Sequence, residues 1–176
     1  LILLAAAVAA ADEVPELPPE LAGDALPQVL TPARLSQAQI DVAASVTVID
    51  REMIAALGPR DIPELLRLVP GMMVAQVNAS EFAVNYHGTK IRDVRRLQVL
   101  VDGMSVYQPG LARILWSDLA LSIDDIERIE VTRGPDAAAY GANAFSGIIN
   151  IITTHPQDAT DNRLKATAGN RDTLDS

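Results

Sequence analysis

The spacing of apolar positions changes several times along this chain, and each change predicts a short element. The β-branched run 46–49 is typical of a buried strand. Asp50 follows it as a helix cap, and Gly58-Pro59 ends the short helix that begins there. Apolar residues then recur at helical spacing over 62–69, which predicts a second helix with one apolar face.

Strands are also predicted in the second half of the chain. Runs 97–101 and 104–107 flank an Asp-Gly pair at 102–103, which is a strong hairpin signal because both turn positions tolerate positive φ. The run 126–133 has charges on one face of a strand, and the run 147–153 is apolar enough to be buried. Together these elements predict an α+β fold: a small mixed β-sheet with short helices and long apical loops.

The N-terminal part has a different composition, which divides the chain into regions. Residues 1–11 are apolar and end in an Ala-x-Ala pattern, as the remnant of a secretory signal peptide does, although an Ala-rich helix or tail is the alternative. Residues 12–45 are acidic and rich in proline, which predicts a flexible, disordered tether. The folded domain is therefore expected over 46–154, and residues 155–176 are expected to hold a linker and the start of another strand.

Composition excludes several function classes. The chain has 176 residues with 14 Lys+Arg against 23 Asp+Glu, a net charge of −9, and 49% of its residues are apolar. The apolar content is too high for a disordered chain. The excess of acids argues against nucleic acid as a partner, because affinity for phosphates comes from basic surfaces. Five of the acids and no base lie in the first 33 residues, so more than half of the net charge belongs to the tether.

Few residues are candidates for catalysis or metal binding. Cysteine is absent and the only histidines are His87 and His155, which leaves no thiol chemistry and little for a metal cluster or a catalytic triad. The glycines before the last predicted strand fit no phosphate-binding loop. Neighbouring carboxylates such as Glu127 and Glu130 are interpreted as part of a solvated face. We therefore predict no catalytic residue, no metal site and no cofactor, and a hydrolase would lack its nucleophile and base.

Several segments occur in the order found in the plug domain of TonB-dependent outer-membrane receptors. Two of them are Ile-Glu-Arg-Ile-Glu-Val-Thr-Arg-Gly-Pro at 126–135 and Tyr-Gly-Ala-Asn-Ala-Phe-Ser-Gly-Ile-Ile-Asn-Ile-Ile-Thr at 140–153. The others are the runs 46–49, 62–71 and 99–107. The chain therefore resembles this family over about 45–154, and the combination of segments is highly specific.

The resemblance implies an exported receptor of the cell outer membrane. The plug would lie inside the lumen of the receptor's own β-barrel, with the tether in the periplasm. Plugged outer-membrane transporters have about 22 strands of about 10 residues, hence roughly 220 residues in strands alone. That is more than the 176 residues of this chain, so we expect the barrel outside this sequence, with its first strand starting within 155–176.

Upstream of the domain, the segment 29–35 resembles the TonB box of the family and the residues after it. In the family this box pairs as an added strand with the C-terminal domain of TonB, which transmits force from the inner membrane. An extended apolar segment on a proline-rich tether suits such pairing, because an added strand binds through its backbone. The resemblance implies an accessible box that binds TonB through Val29, Leu30, Thr31, Pro32 and Ala33.

Two positions are implied to anchor the plug to the barrel. The family has arginines that pair with barrel carboxylates, one matching Arg133 and the other before the Gly of an Ile-Arg-Gly motif, where this chain has His87. Because histidine is neutral for much of the time near neutral pH, that second contact would be weaker or pH-dependent. Arg133 is therefore expected to carry most of the anchoring.

The outward apices of the plug are expected to contact a ligand, either a small molecule or a metal chelate. The most frequent cargoes in the family are ferric siderophores, cobalamin and haem. The residues that fall at these apices are Asn78, Ala79, Ser80, Glu81, Tyr107, Gln108 and Pro109. Ordinary polar surface turns are the alternative interpretation of both segments.

The alternative function is a free-standing periplasmic plug-like binding or adaptor module that shares the plug's ancestry but never enters a barrel. The sequence that follows Ser176 in the gene separates the two functions. Alternating apolar strands there favour the receptor, and a stop codon favours the module.

Overall fold

The computed structural model describes the chain in several stretches: residues 28–30, 37–38, 44–87, 96–108, 110–111, 113–134, 140–157, 167–168 and 174–175. The strands in these stretches are β1 Gln28–Val29, β2 Gln37–Ala38, β3 Ser45–Asp50, β4 Met72–Gln76, β5 Phe82–Tyr86, β6 Leu97–Val101, β7 Met104–Ser105, β8 Ile126–Arg133, β9 Gly147–Thr153, β10 Thr167–Ala168 and β11 Leu174–Asp175. The helices are α1 Arg51–Leu57 and α2 Ile62–Leu65, with 3₁₀ turns at Leu66–Leu68, Trp116–Asp118, Ile123–Asp125 and Ala142–Phe145.

Five of the strands form one mixed sheet in the order β3-β8-β9-β6-β7. Strand β6 runs parallel to β9, and the other neighbours in this sheet are antiparallel. The remaining strands form antiparallel pairs, β1 with β2, β4 with β5 and β10 with β11. The prediction of an α+β fold with a small mixed sheet and short helices is confirmed.

Local signals set the ends of α1. The carboxylate of Asp50 accepts the backbone N–H of Met53 at 2.8 Å, which satisfies a donor that the first turn of the helix leaves free. At the other end Gly58 adopts φ 55° and donates its N–H to the carbonyl oxygen of Ile54 at 3.1 Å. The helix predicted after Asp50 is therefore present, with both of its predicted ends.

The predicted hairpin turn is also present, although its second strand is shorter than expected. Asp102 and Gly103 both have positive φ, 48° and 78°. Strand β7 covers Met104–Ser105 and not 104–107. Val106 still donates its N–H to the carbonyl oxygen of Val99 in β6 at 3.1 Å, whereas the N–H of Tyr107 donates to Ser105 Oγ at 3.3 Å, within its own segment.

One face of the sheet packs against the helices and is apolar. Alternation along the strands brings Ile129 of β8 beside Ile49 and Ile151 on its two neighbours, and all three are fully buried. The segment 62–69 buries Leu65 and Leu66 in the same cluster. Each such side chain contributes roughly 1.5–3 kcal/mol relative to an exposed position.

The opposite face of the sheet is buried as well, but it contains polar residues. Glu130 lies between Val48 of β3 and Asn150 of β9, and the exposed fractions of Glu130 and Asn150 are 0% and 2%. The interpretation of Glu130 as part of a solvated face is therefore wrong, because Arg128 and the segment before β3 pair with its carboxylate. Its neighbour Glu127 is exposed.

Two other predicted elements fall partly outside the described residues. Of the helical turn expected over 136–140, only Tyr140 is described, and it is helical. Of the strand expected from Leu164, the structure describes Thr167–Ala168, which pairs with Leu174–Asp175.

Gly147 opens β9 at a place where its backbone passes close to that of β8. A Cβ atom at Gly147 would lie 2.7 Å from the backbone oxygen of Thr132. We predict that Gly147→Ala destabilises the domain by roughly 1–3 kcal/mol, since over-packing a buried site forces the backbone to shift. Gly110→Ala is the matched control, because nothing lies within 4 Å of the Cβ it would add. Denaturant unfolding of both variants checks this, and equal stabilities would contradict it.

Candidate functional site

The segment that resembles a TonB box lies against the folded domain at its start. Val29 pairs with Gln37 in the short β1–β2 ladder, and its side chain is 0% exposed. Leu30, which follows it, is 38% exposed. Thr31, Pro32 and Ala33 lie outside the described residues. Of the box, the structure therefore describes one buried residue and one partly exposed residue. The role of 29–33 in binding TonB stays a prediction.

A single buried carboxylate links this segment to the sheet. The backbone N–H of Leu30 donates to Glu130 Oε2 at 2.8 Å. Arg128 Nε donates to the other oxygen, Oε1, at 2.9 Å, while Arg128 Nη1 binds Glu127 Oε1 at 2.6 Å. Hydrogen bonds to an ionised group are shorter and stronger than neutral ones. Glu130 therefore joins the N-terminal segment to β8 across a sequence separation of 100 residues.

The first predicted apex is the turn between β4 and β5, and one side chain shapes it. Asn78 Oδ1 accepts the backbone N–H groups of Ser80 and Glu81 at 3.0 and 2.8 Å. Glu81 Oε2 in turn accepts the amide Nδ2 of Asn78 at 3.0 Å. Asn78, Ala79 and Ser80 are exposed, and Glu81 is half-buried. The turn is thus formed by its own hydrogen bonds, with its polar tip in solvent.

The second predicted apex lies in the loop after β7 and contacts the first. The N–H of Gln108 donates to the carbonyl oxygen of Arg113 at 3.1 Å. Arg113 Nη1 lies 3.5 Å from Glu81 Oε1. Tyr107 and Gln108 are half-buried, and Pro109 lies outside the described residues. The structure therefore brings the two apices together through Arg113.

The two predicted anchoring residues have different surroundings. Arg133 ends β8 half-buried, and within the described stretches its Nε is buried without a hydrogen-bond partner. His87 is exposed just after β5 at φ 50°, and its ring centroid lies 4.1 Å from that of Tyr86 in an edge-on arrangement. The described contacts do not join His87 to Arg133.

Sequence reasoning missed Arg113 and Glu130 as parts of these sites. Arg113 lies in a loop where nothing in the local pattern distinguishes one charged residue from another. Glu130 alternates with Ile129 and Val131 as it would on a solvated strand face. Each residue belongs to a site because it contacts a distant segment: Arg113 contacts Glu81, and Glu130 contacts Leu30.

Signatures of a metal site or of a membrane-spanning helix do not occur in the described stretches. Within them, no group of three or more His, Asp or Glu side chains is placed to hold a metal ion. No helix among the described residues is long and apolar enough to cross a membrane.

Comparison with known protein families identifies the family of this chain. The family model described as the TonB-dependent Receptor Plug Domain matches residues 38–148, which is more than half of the chain. The chain therefore belongs to the TonB-dependent receptor plug family, and the resemblance seen in its motifs is confirmed. The family is one of transport receptors.

Individual relatives agree with this placement. The chain is 34% identical over 128 residues to the vitamin B12 transporter BtuB of Photobacterium profundum, a match that covers 72% of this chain and 20% of the relative. The ferric yersiniabactin uptake receptor FyuA from Yersinia pestis superposes with a TM-score of 0.51 at 27% identity, covering 64% of this chain and 17% of the receptor.

A third comparison supports the fold alone. A structure of the FpvAI–pyocin S2 complex superposes with a TM-score of 0.57 at 21% identity, covering 73% of this chain and 17% of the other. The chain spans about a fifth of the length of the curated relatives it matches, 20% and 23%.

Proposed function

We propose that this chain is the plug of a TonB-dependent receptor in the cell outer membrane. It would act as the gate and signalling element for active uptake of a scarce nutrient such as a ferric siderophore, cobalamin or haem, without catalysing a reaction. The plug would sit inside the lumen of the receptor's barrel, with the N-terminal segment in the periplasm. The observation that carries the proposal is the family match over 38–148.

The geometry suits a domain that is pulled from its N-terminal end. Strand β3 is the first strand of the sheet after the box segment, and it lies at an edge of the sheet with β8 as its neighbour. Detaching an edge strand breaks one ladder and leaves the pairing of β8, β9 and β6 in place. A pull on the box would therefore open part of the plug and keep the rest folded.

The box is tested by removing one backbone donor. Leu30→Pro should lower the affinity of the chain for the C-terminal domain of TonB by more than about tenfold. Proline has no backbone N–H to donate to the partner sheet, and its ring fixes φ, which restricts the extended conformation that an added strand needs. Leu30→Ala is the control, since it removes the side chain and keeps the N–H. Titration of the TonB domain into each variant in a Glu130→Ala background, where no bond from Leu30 to Glu130 remains to be lost, measures the effect. Equal binding by this background with and without Leu30→Pro would refute the assignment.

Anchoring to the barrel is assigned mainly to Arg133. Its Nε is buried and unpaired within the described stretches, which suits a guanidinium that meets a carboxylate supplied from outside this domain.

We predict that Arg133→Ala weakens retention of the plug in the intact receptor more than His87→Ala does. A guanidinium presents several N–H donors in a planar fork that pairs with both oxygens of a carboxylate, whereas an imidazole has only two ring nitrogens, which point apart. The denaturant concentration that releases the plug from the barrel is the measurement. Unchanged retention in Arg133→Ala, or a larger loss in His87→Ala, would contradict the assignment.

Ligand contact is assigned to the joined apices, where Glu81 and Arg113 hold two loops together. Glu81→Ala should lower ligand affinity several-fold by separating the loops, while stability changes by about 1 kcal/mol or less, as for other ion pairs that water reaches. Asp118→Ala is the control, because it removes an exposed carboxylate from another turn. Cyanocobalamin, haemin and a ferric catecholate siderophore are the probes. Equal affinities of both variants for the probe that binds would contradict the assignment.

A further inference from the structure

The backbone donor that a partner strand needs from the box is already in use. A strand that adds to the edge of a sheet binds through its backbone N–H and C=O groups. In this structure the N–H of Leu30 donates to Glu130 Oε2 at 2.8 Å. One N–H cannot serve the carboxylate and a partner strand with full strength at the same time.

We propose that Glu130 is a latch that holds the box segment on the plug and competes with the partner for the Leu30 N–H. Arg128 positions the latch by binding its second oxygen. The competition with a partner strand depends on the function proposed above, but the holding contact itself does not.

Burial makes the carboxylate specific for this segment. Glu130 is 0% exposed, and a buried charge is stable only when its oxygens are paired. Arg128 Nε binds Oε1 at 2.9 Å, which leaves Oε2 facing the N–H of Leu30. The side chain of Val29, the preceding residue, is fully buried as well, so apolar burial and a charge-assisted hydrogen bond act on adjacent residues.

The contact is strong enough to hold the segment and local enough to release it. The ladder between β1 and β2 has two residue pairs, against six between β3 and β8. When the segment leaves, water can replace the Leu30 N–H at Oε2 while Arg128 still pairs with Oε1. The latch can therefore open without unpairing the sheet behind it.

Glu127 offers a matched control on the same strand. It also accepts a hydrogen bond from Arg128, at 2.6 Å, but its side chain is 46% exposed. Removing it changes the charge beside Arg128 by the same amount as removing Glu130, without touching the bond to Leu30.

The test uses thiol labelling, since the 176-residue chain has no cysteine of its own. Val29→Cys reports opening of the box segment, and Val99→Cys, also 0% exposed, reports opening of the core. Each reporter is combined with Glu130→Ala, Glu130→Gln or Glu127→Ala. The rate of modification by a small maleimide follows the population of the open form when reclosing is fast.

We expect Glu130→Ala to raise the labelling rate at position 29 by roughly 10- to 100-fold, the range for loss of a hydrogen bond to a charged group. Glu130→Gln should raise it less, because the amide oxygen still accepts the N–H without the charge. Glu127→Ala should leave it unchanged. In the two Glu130 variants labelling at position 99 should rise less than at position 29, because the bond to Arg128 is the part of the loss that the whole sheet shares.

Two results would overturn the latch. One is an unchanged rate at position 29 in both Glu130 variants, and the other is an equal acceleration at positions 29 and 99, which would mean general loss of stability. Titration with the TonB C-terminal domain then tests the competition, with tighter binding expected for Glu130→Ala. If labelling responds as expected but no variant binds TonB, the latch is retained and the TonB function of the box is rejected.

Discussion

The structure depends on β8 being buried on both of its faces. This strand has β3 and β9 as its hydrogen-bonded neighbours. Its side chains alternate between the two faces of the sheet, so they must satisfy two different environments at once. Ile129 and Val131 face the apolar cluster, while Glu130 and Thr132 face the opposite side and are equally buried. An ordinary half-solvated sheet would leave the second face to water. Here that face is buried, so a segment that packs on it must also provide hydrogen-bond partners for its polar side chains.

The N-terminal segment lies against Glu130, and it is attached by a directional hydrogen bond as well as by apolar burial. Apolar burial of Val29 alone would not fix how the segment lies, because the hydrophobic effect is non-directional. The bond from the Leu30 N–H to Glu130 Oε2 fixes which residue meets the sheet. The hydrogen bond therefore fixes which residue of the segment meets Glu130, although few residues take part. A segment that must be held and then released needs both properties.

Sequence patterns predicted β8 and β9 to the residue and both ends of α1, because these features depend on neighbours within a few positions. The burial of Glu130 was missed for a physical reason. An Ile-Glu-Arg-Ile-Glu-Val run has the same alternation whether water or another segment lies over its charged face. The covering residue, Leu30, is 100 positions away. The same holds for Glu81 and Arg113, which lie in different loops and meet only in the folded domain.

Among the described contacts, side-chain hydrogen bonds hold the C-terminal end of β3, and this determines where a pull from the N-terminus acts once the box segment has left Glu130. Beyond its C-terminal end, Arg51 donates to the carbonyl oxygens of Ile126 and Asp124 at 2.8 and 2.7 Å, and to Thr154 Oγ1 at 3.2 Å. These bonds tie that end to the start of β8 and to the residue after β9. The N-terminal end begins at the exposed Ser45, paired with Arg133. Under the proposed function, force would therefore reach the Ser45 end of this edge strand first, after the box segment has been released. The ladder to β8 would open from Ser45 towards Asp50 and meet its strongest resistance at Arg51, before the helices and the core behind them are reached.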